Sequence, residues 1–221
     1  MTTEQLQKIA SQLRKPDGED GIKTGEWMSH GNVHIIHDTL DLVDAGTNDN
    51  ILEIGMGSGF YVPEILAKSP DIQYTGCDYS ELMIMESSKL NSKWVTAGRA
   101  KFIHGDIFSL PFTGNVFDKV FTINTIYFWD DNVKALLEIS SVLKPGGRFI
   151  IGFRPKHQTE KIPFTKYGFN QYSKTEIADL LAEHCFNTID CIENEEPPLD
   201  LNGQTILMRN IVIVAMKERE K

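Results

Sequence analysis

Short apolar runs ending on polar or glycine residues recur along this chain, separated by stretches whose apolar positions fall at helical spacing. The runs predict strands over 50–54, 72–77, 100–104, 117–123, 147–153, 187–193 and 206–215. Helices are predicted over 59–68, 80–92, 130–143 and 174–184, with Ser80, Asp130 or Asp131, and Ser173 as N-caps. Strands alternating with helices read as an α/β fold built on a doubly wound sheet. No internal repeat or low-complexity tract breaks the alternation.

The first strand carries the strongest local signal. In Ile51-Leu-Glu-Ile-Gly-Met-Gly-Ser-Gly-Phe60 a buried-strand pattern runs into Gly55, Gly57 and Gly59, with Glu53 two places before the first glycine. Glycines there suit a tight turn and close ligand approach, and the following helix is expected to offer unpaired N–H groups to an anion. A dinucleotide fingerprint needs its third glycine one position later, where this chain has Phe60, which argues against NAD or FAD. The second run ends in Asp78, 23 residues after Gly55, near the offset at which such folds hold ribose hydroxyls. The third ends in Asp106, followed by Ile107, Leu110, Pro111 and Phe112, which suits a polar contact to an adenine amino group beside an apolar wall.

With 221 residues, 24% charged and 41% hydrophobic, the chain is of single-domain size and of ordinary globular composition. No apolar run is long enough for a membrane span, and the first residues lack the apolar core of a signal peptide. The cysteines at 77, 185 and 191 form no disulfide or zinc pattern, so a cytoplasmic setting is expected. A net charge of -9 without a basic stripe argues against nucleic acid as partner.

Several motifs in order resemble the class I S-adenosylmethionine-dependent methyltransferases, in particular their small-molecule members, over about Asn50 to Phe153. Glu53-x-Gly55-x-Gly57-x-Gly59 resembles the first motif; Cys77-Asp78-Tyr79-Ser80 with Met83 resembles the second. Gly105-Asp106-Ile107 through Leu110-Pro111-Phe112 resembles the third, Phe117-Asp118 to Asn124 the fourth, and Leu143-Lys-Pro-Gly-Gly-Arg-Phe149 the turn and strand that follow. The resemblance implies a Rossmann-like, three-layer α/β/α fold. Its seven-stranded sheet would have strand order 3-2-1-4-5-7-6, with the last strand antiparallel and a terminal hairpin joined by the polar segment from Asn194 to Gly203. It further implies S-adenosylmethionine as cofactor, S-adenosylhomocysteine as product, and an in-line methyl transfer to a small-molecule acceptor. Glu53, the three glycines, Asp78, Tyr79, Met83, Asp106, Ile107 and Asn124 would contact the cofactor. Asn124-Thr-Ile-Tyr127 lacks the Pro-Pro of similar enzymes that methylate base amines.

The remaining segments, 1–46 and 154–172, are expected to govern substrate choice, the first as an N-terminal helical lid over a domain spanning 47–221. Its Gly and Pro punctuation suggests a mobile flap, with Met28 and Asn32 near cofactor or substrate. In the next helix Val33, Ile36, Leu40 and Val43 make an apolar stripe. His34, His37 and Asp41 lie beside it, with His30 just before, and can be read as a general base, a metal site or simply a polar helix margin. Beyond the fifth strand, Phe164, Tyr167, Phe169 and Tyr172 either wall a substrate pocket or form the loop's own small core. Arg154 is either a contact for an acidic substrate group or a structural arginine. Tyr127 and Phe128 are placed to face the sulfonium methyl through cation–π attraction, with core packing as the alternative, above all for Phe128. Tyr61, Tyr127, His30 and His34 are the candidate bases, should one be needed; no metal is expected. The alternatives are a catalytically silent S-adenosylmethionine-binding module and, further off, an NAD-dependent oxidoreductase. For the latter, Tyr167-Gly-Phe-Asn-Gln171 supplies no Tyr-x-x-x-Lys lysine.

Overall fold

The computed structural model describes residues 1–201 and 204–218. Three helices, α1 (Thr3–Arg14), α2 (Gly18–Gly31) and α3 (Val33–Val43), precede β1 (Asn50–Ile54). Then follow α4 (Val62–Ala67), β2 (Gln73–Asp78), α5 (Glu81–Leu90), α6 (Ser92–Thr96), β3 (Ala100–His104), β4 (Phe117–Ile123), α7 (Asn132–Val142) and β5 (Leu143–Phe153). The chain continues through α8 (Lys156–Thr159) and α9 (Lys174–Glu183) to β6 (Phe186–Leu201) and β7 (Gln204–Lys217). One seven-stranded sheet results, in the order β3-β2-β1-β4-β5-β7-β6, with β7 antiparallel to both its neighbours and the other pairs parallel.

Burial on both sheet faces explains why the central strands read as continuous apolar runs. Leu52, Val120, Phe149 and Ile213 join one core, and their strand neighbours Ile51, Phe121, Ile150 and Val212 join the other. A fully buried side chain of this size stabilises the fold by about 1.5–3 kcal/mol. The helices of these layers start where hydroxyl or carboxylate caps allow: Ser80 Oγ accepts from the Met83 N–H at 3.2 Å, Asp131 from Lys134 at 3.0 Å, and Ser173 with Glu176 forms a capping box.

Three expectations need correction. Strand β5 starts at Leu143 rather than 147, absorbing the glycine turn through a register shift against β4. The terminal hairpin has no long polar connection as far as it is described. Strands β6 and β7 run on through Asn194–Leu201, with Glu193 and Glu195 both paired to Arg209 and a register shift taking up the two prolines after Glu196; Asn202 and Gly203 lie outside the described residues. The stripe that α3 buries is Ile35, Thr39, Leu40 and Val43, while Val33 and Ile36 are only half-buried. Helix α3 packs on β4, β5 and β7 as part of the sandwich, so α1 and α2 alone form the cap.

That cap is helical rather than a flap. Within α2, Gly21 and Gly25 face α5 so closely that a Cβ on Gly21 would lie 2.7 Å from Leu82 Cδ2 and 2.8 Å from the Pro16 carbonyl carbon. A Cβ on Gly25 would lie 3.1 Å from Met83 Sδ. The glycines therefore serve close packing. Further ties are the Ser80 hydroxyl donating to the Pro16 carbonyl at 2.5 Å, the Ser29–Ser58 hydroxyl pair at 2.9 Å, and the Lys15 ammonium 4.4 Å from the Tyr79 ring centroid. The Arg14–Asp130 ion pair joins them, but both partners are exposed and such pairs contribute about 0–1 kcal/mol.

Gly21→Ala tests this docking. Overpacking is expected to weaken cap attachment by about 1–3 kcal/mol, read as faster amide exchange across α1 and α2 with β1 and β4 unchanged. Unaltered exchange in α2 would show that Leu82 and Pro16 yield without cost.

Candidate active site

The carboxyl ends of β1, β2 and β4 open beneath the cap onto a cavity of about 480 Å³, where ligands bind in open α/β sheets. Gly55, at φ +72°, turns the chain so sharply that a Cβ would lie 2.3 Å from Thr125 Cγ2. Gly57, at φ +56°, would direct a Cβ into open space, so its backbone is approachable from the cavity. Helix α4 begins only at Val62 and is six residues long. The glycine loop itself, rather than a helix N-terminus, therefore lines the site.

Asp78 fixes that loop. Its two carboxylate oxygens accept the Gly57 N–H at 3.0 Å and the Ser80 N–H at 2.8 Å. Burial pushes its pKa up to about 6 against the pull of these donors. Glu53, also half-buried, is pushed up to about 7 by desolvation, although the Tyr74 hydroxyl donates to it at 2.5 Å. The Cys77 thiol, between these strands, is pushed up to about 12, first by burial and then by Asp78 and Asp106. Asp106 accepts the Phe108 N–H at 3.0 Å, with Ile107 half-buried beside it, and Met83 also lines this part. Tyr79 lies at its margin, stacked on His104.

A second group of lining residues is aromatic. Phe169 packs 4.7 Å from Phe128, 5.7 Å from Tyr127 and 5.9 Å from Phe164, centroid to centroid. Asn124 adopts φ +56°, a left-handed conformation that Asn tolerates, and its side-chain oxygen lies 3.0 Å from the Tyr127 hydroxyl. That hydroxyl accepts the Arg154 N–H at 2.6 Å and also lies 3.2 Å from the Arg154 carbonyl. Burial drives its pKa well up. The Arg154 guanidinium donates to the Asn32 side chain and to Glu196, each at 2.7 Å. Glu196, 5% exposed, also accepts from Asn210, which in turn donates to Asp38. Tyr61 lines the cavity and donates to the Ser29 carbonyl at 3.1 Å, with its pKa raised by burial and then by Glu64.

All ten residues expected to contact a cofactor line the cavity, as do Met28, Asn32, Tyr61, Tyr127, Phe128 and Arg154. Three expected site residues do not. His34 is exposed, because burying Ile35 and Thr39 turns its face outward. His30 is exposed against the edge of Phe60, and its neighbour in the proposed cluster, His37, pairs with Glu64 at 3.3 Å. Tyr167 is kept apart from Phe164 and Phe169 by the 3-10 turn Pro163–Lys166 and by Gly168 at φ +74°. No cluster of three His, Cys, Asp or Glu side chains suited to a metal occurs among the described residues. Trp27, Ile162, Thr165 and the Glu196 partner of Arg154 escaped sequence reasoning; nothing local marks a glutamate 42 residues downstream as a site group.

Comparison with known proteins agrees with this architecture. Residues 52–151 match the family model described as a methyltransferase domain. The uncharacterized methyltransferase YdaC of Bacillus subtilis is 30% identical over 74% of this chain and 86% of its own length. The ubiquinone/menaquinone biosynthesis C-methyltransferase UbiE of Paracoccus denitrificans is 30% identical over 66% of this chain but only 58% of its own. In fold, the methyltransferase solved with the Haloferax volcanii Trm112 methyltransferase activator superposes with a TM-score of 0.75 at 16% identity, covering 89% of this chain and 94% of that one. With its sheet order, its glycine turn and these matches, the chain belongs to the class I methyltransferase family and is a methyltransferase enzyme.

Proposed function

We propose that the cavity binds S-adenosylmethionine and that the enzyme methylates a small apolar molecule lodged among the aromatic residues. The observation that carries this reading is Asp78. A half-buried carboxylate that lines the cavity and holds one N–H on each oxygen keeps acceptor capacity that a pair of ribose hydroxyls would use. The open backbone at Gly57 supplies room beside it. In this reading Asp106 and Ile107 serve the adenine, Glu53 and Asn124 the methionine portion, with Met83 and Tyr79 flanking the nucleoside. When bound, S-adenosylmethionine supplies a methyl group already activated by its sulfonium charge.

The chain's own task is then alignment and exclusion of water. Helices α1 and α2 cover the reactants, Tyr127 is locked by three polar contacts, and the aromatic residues wall the acceptor. Holding both reactants in line lowers the barrier by removing the entropic cost of their encounter. The UbiE relative supports a small organic acceptor; the net charge of -9 speaks against a nucleic acid. Three unpaired thiols support a reducing compartment, the cytoplasm, and none of the helices described is long and apolar enough to cross a membrane.

Calorimetric titration tests the cofactor. S-adenosylmethionine is expected to bind the wild type, Asp78→Ala to weaken it at least about tenfold by removing charge-assisted bonds, and NADH not to bind. NADH binding, or equal affinity in the variant, would overturn this reading of the glycine turn.

Stability and cofactor affinity should respond oppositely to pH. The folded state retains protons on Glu53 up to about 7 and on Asp78 up to about 6, against 4.5 and 3.8 in the unfolded chain. Unfolding free energy contributed by these groups therefore falls as pH rises through those windows. Affinity for S-adenosylmethionine should instead fall below pH 6, as Asp78 becomes protonated. Chemical unfolding of Glu53→Gln should show the variant about 1–3 kcal/mol more stable than wild type at pH 8, with the difference vanishing near pH 4.5. A difference independent of pH would show that the carboxyl is not held ionised at a cost.

A further inference from the structure

Among the described residues, the aromatic part of the cavity holds no unpaired group suited to take a proton from an acceptor. None of the six histidines lines the cavity. The Tyr127 and Tyr61 hydroxyls are tied to neighbouring groups and held protonated, and Thr165 donates to the Thr159 carbonyl at 2.7 Å while accepting from Gln171. The one lining carboxylate near Phe128, Asp130, is exposed and paired with Arg14. A protonated amine or an alcohol of high pKa would find neither a base nor a counter-charge here.

What this wall does offer is a set of unused donors. Arg154 has five guanidinium N–H groups, of which one meets Asn32 and one meets Glu196. Its Nε is buried without a partner, whereas each terminal nitrogen keeps a second N–H beyond the bond named, on a side chain that is 14% exposed and lines the cavity. The charged and titratable groups around it are Glu196 on β6, Tyr127 after β4, and Asp38 on α3 through Asn210. Glu196 takes up part of the positive charge and fixes the guanidinium plane, leaving Arg154 as a directional, cationic donor.

We propose that the acceptor is an apolar molecule bearing an acidic phenolic or enolic oxygen, that Arg154 holds this oxygen as its anion, and that methylation then proceeds without a protein base. This deepens the methyl-transfer reading and rests on it. On binding, the O–H bond breaks, the proton passes to water, and the electron pair stays on the oxygen and its conjugated system. That pair forms the bond to the methyl carbon as the carbon–sulfur pair returns to sulfur. Where a ring carbon is the attacking atom, its C–H proton is afterwards lost to water, restoring the conjugated ring.

The test uses 4-nitrophenol, whose anion absorbs in the visible, titrated with the protein and S-adenosylhomocysteine at the pH where the free probe is half-ionised. Saturable growth of the anion band is expected, with about a tenfold rise in the ratio of anion to neutral form on the protein, the size that a nearby opposite charge produces. Arg154→Met should abolish the growth and Glu196→Gln should increase it, by unmasking the guanidinium; a purely structural role for the pair would move both variants the same way. No saturable binding, a loss of the anion band on binding to wild type, or growth undiminished in Arg154→Met would overturn the proposal. The wild-type result decides even if Arg154→Met fails to fold. Calorimetry with S-adenosylmethionine on the same samples separates the two failures: cofactor binding without the anion band sinks the acceptor class alone, whereas no cofactor binding sinks the reading beneath it.

Discussion

A single half-buried carboxylate holds the site in shape. Asp78 ends β2 and ties the Gly57 loop of β1 to the start of α5 through one N–H on each oxygen. Because β1 and β2 are parallel and in register, with Ile54 opposite Cys77, the carboxylate falls directly beside the turn that leaves β1. The turn in turn exists only because Gly55 can pass under Thr125 at a positive φ. Topology, register and one buried charge therefore decide where the cavity lies before any acceptor residue is considered.

The aromatic half of the cavity has a second organising centre in Arg154. It directly follows β5, and its backbone locks the Tyr127 hydroxyl while its side chain spans from Asn32, between α2 and α3, to Glu196 on the terminal hairpin. The extension of β6 and β7 beyond their expected ends thus has a functional consequence, since it carries Glu196 back over the carboxyl edge of β5. A buried ion pair is weak evidence for stability, because desolvation offsets its attraction. Its value in this place is geometric: it fixes the plane and direction of a donor.

Local patterns made the central sheet legible. Glu53 and Asp78 could be placed from spacing because each sits near a strand end, where side-chain direction follows from the strand itself, and the three glycines and Asp106 because they follow directly in the turns after β1 and β3. The helix after Asn32 shows where that logic stops. Its apolar positions allow more than one buried stripe, and packing against β4, β5 and β7 selected Ile35 and Thr39, turning His34 and His37 outward. Glycines in the cap were equally ambiguous, since Gly21 and Gly25 carry the same letters whether they confer mobility or let α2 approach α5. The Arg154–Glu196 pairing had no local signature, because it depends on the register of a hairpin interrupted by two prolines.

These two centres pull stability and function in opposite directions. Glu53 and Asp78 sit where burial disfavours their charged forms, and Arg154 keeps a buried nitrogen without a partner. A ligand that donates to the two carboxylates would offset the cost of burying their charge. In the proposed reading, the carboxylates at one end accept from the hydroxyls and amine of a nucleoside, and the arginine at the other end donates to an anionic oxygen. In the same reading, that difference in polarity between the two ends of one cavity orders its occupants along the sheet edge, cofactor over β1, β2 and β3 and acceptor over β4 and β5.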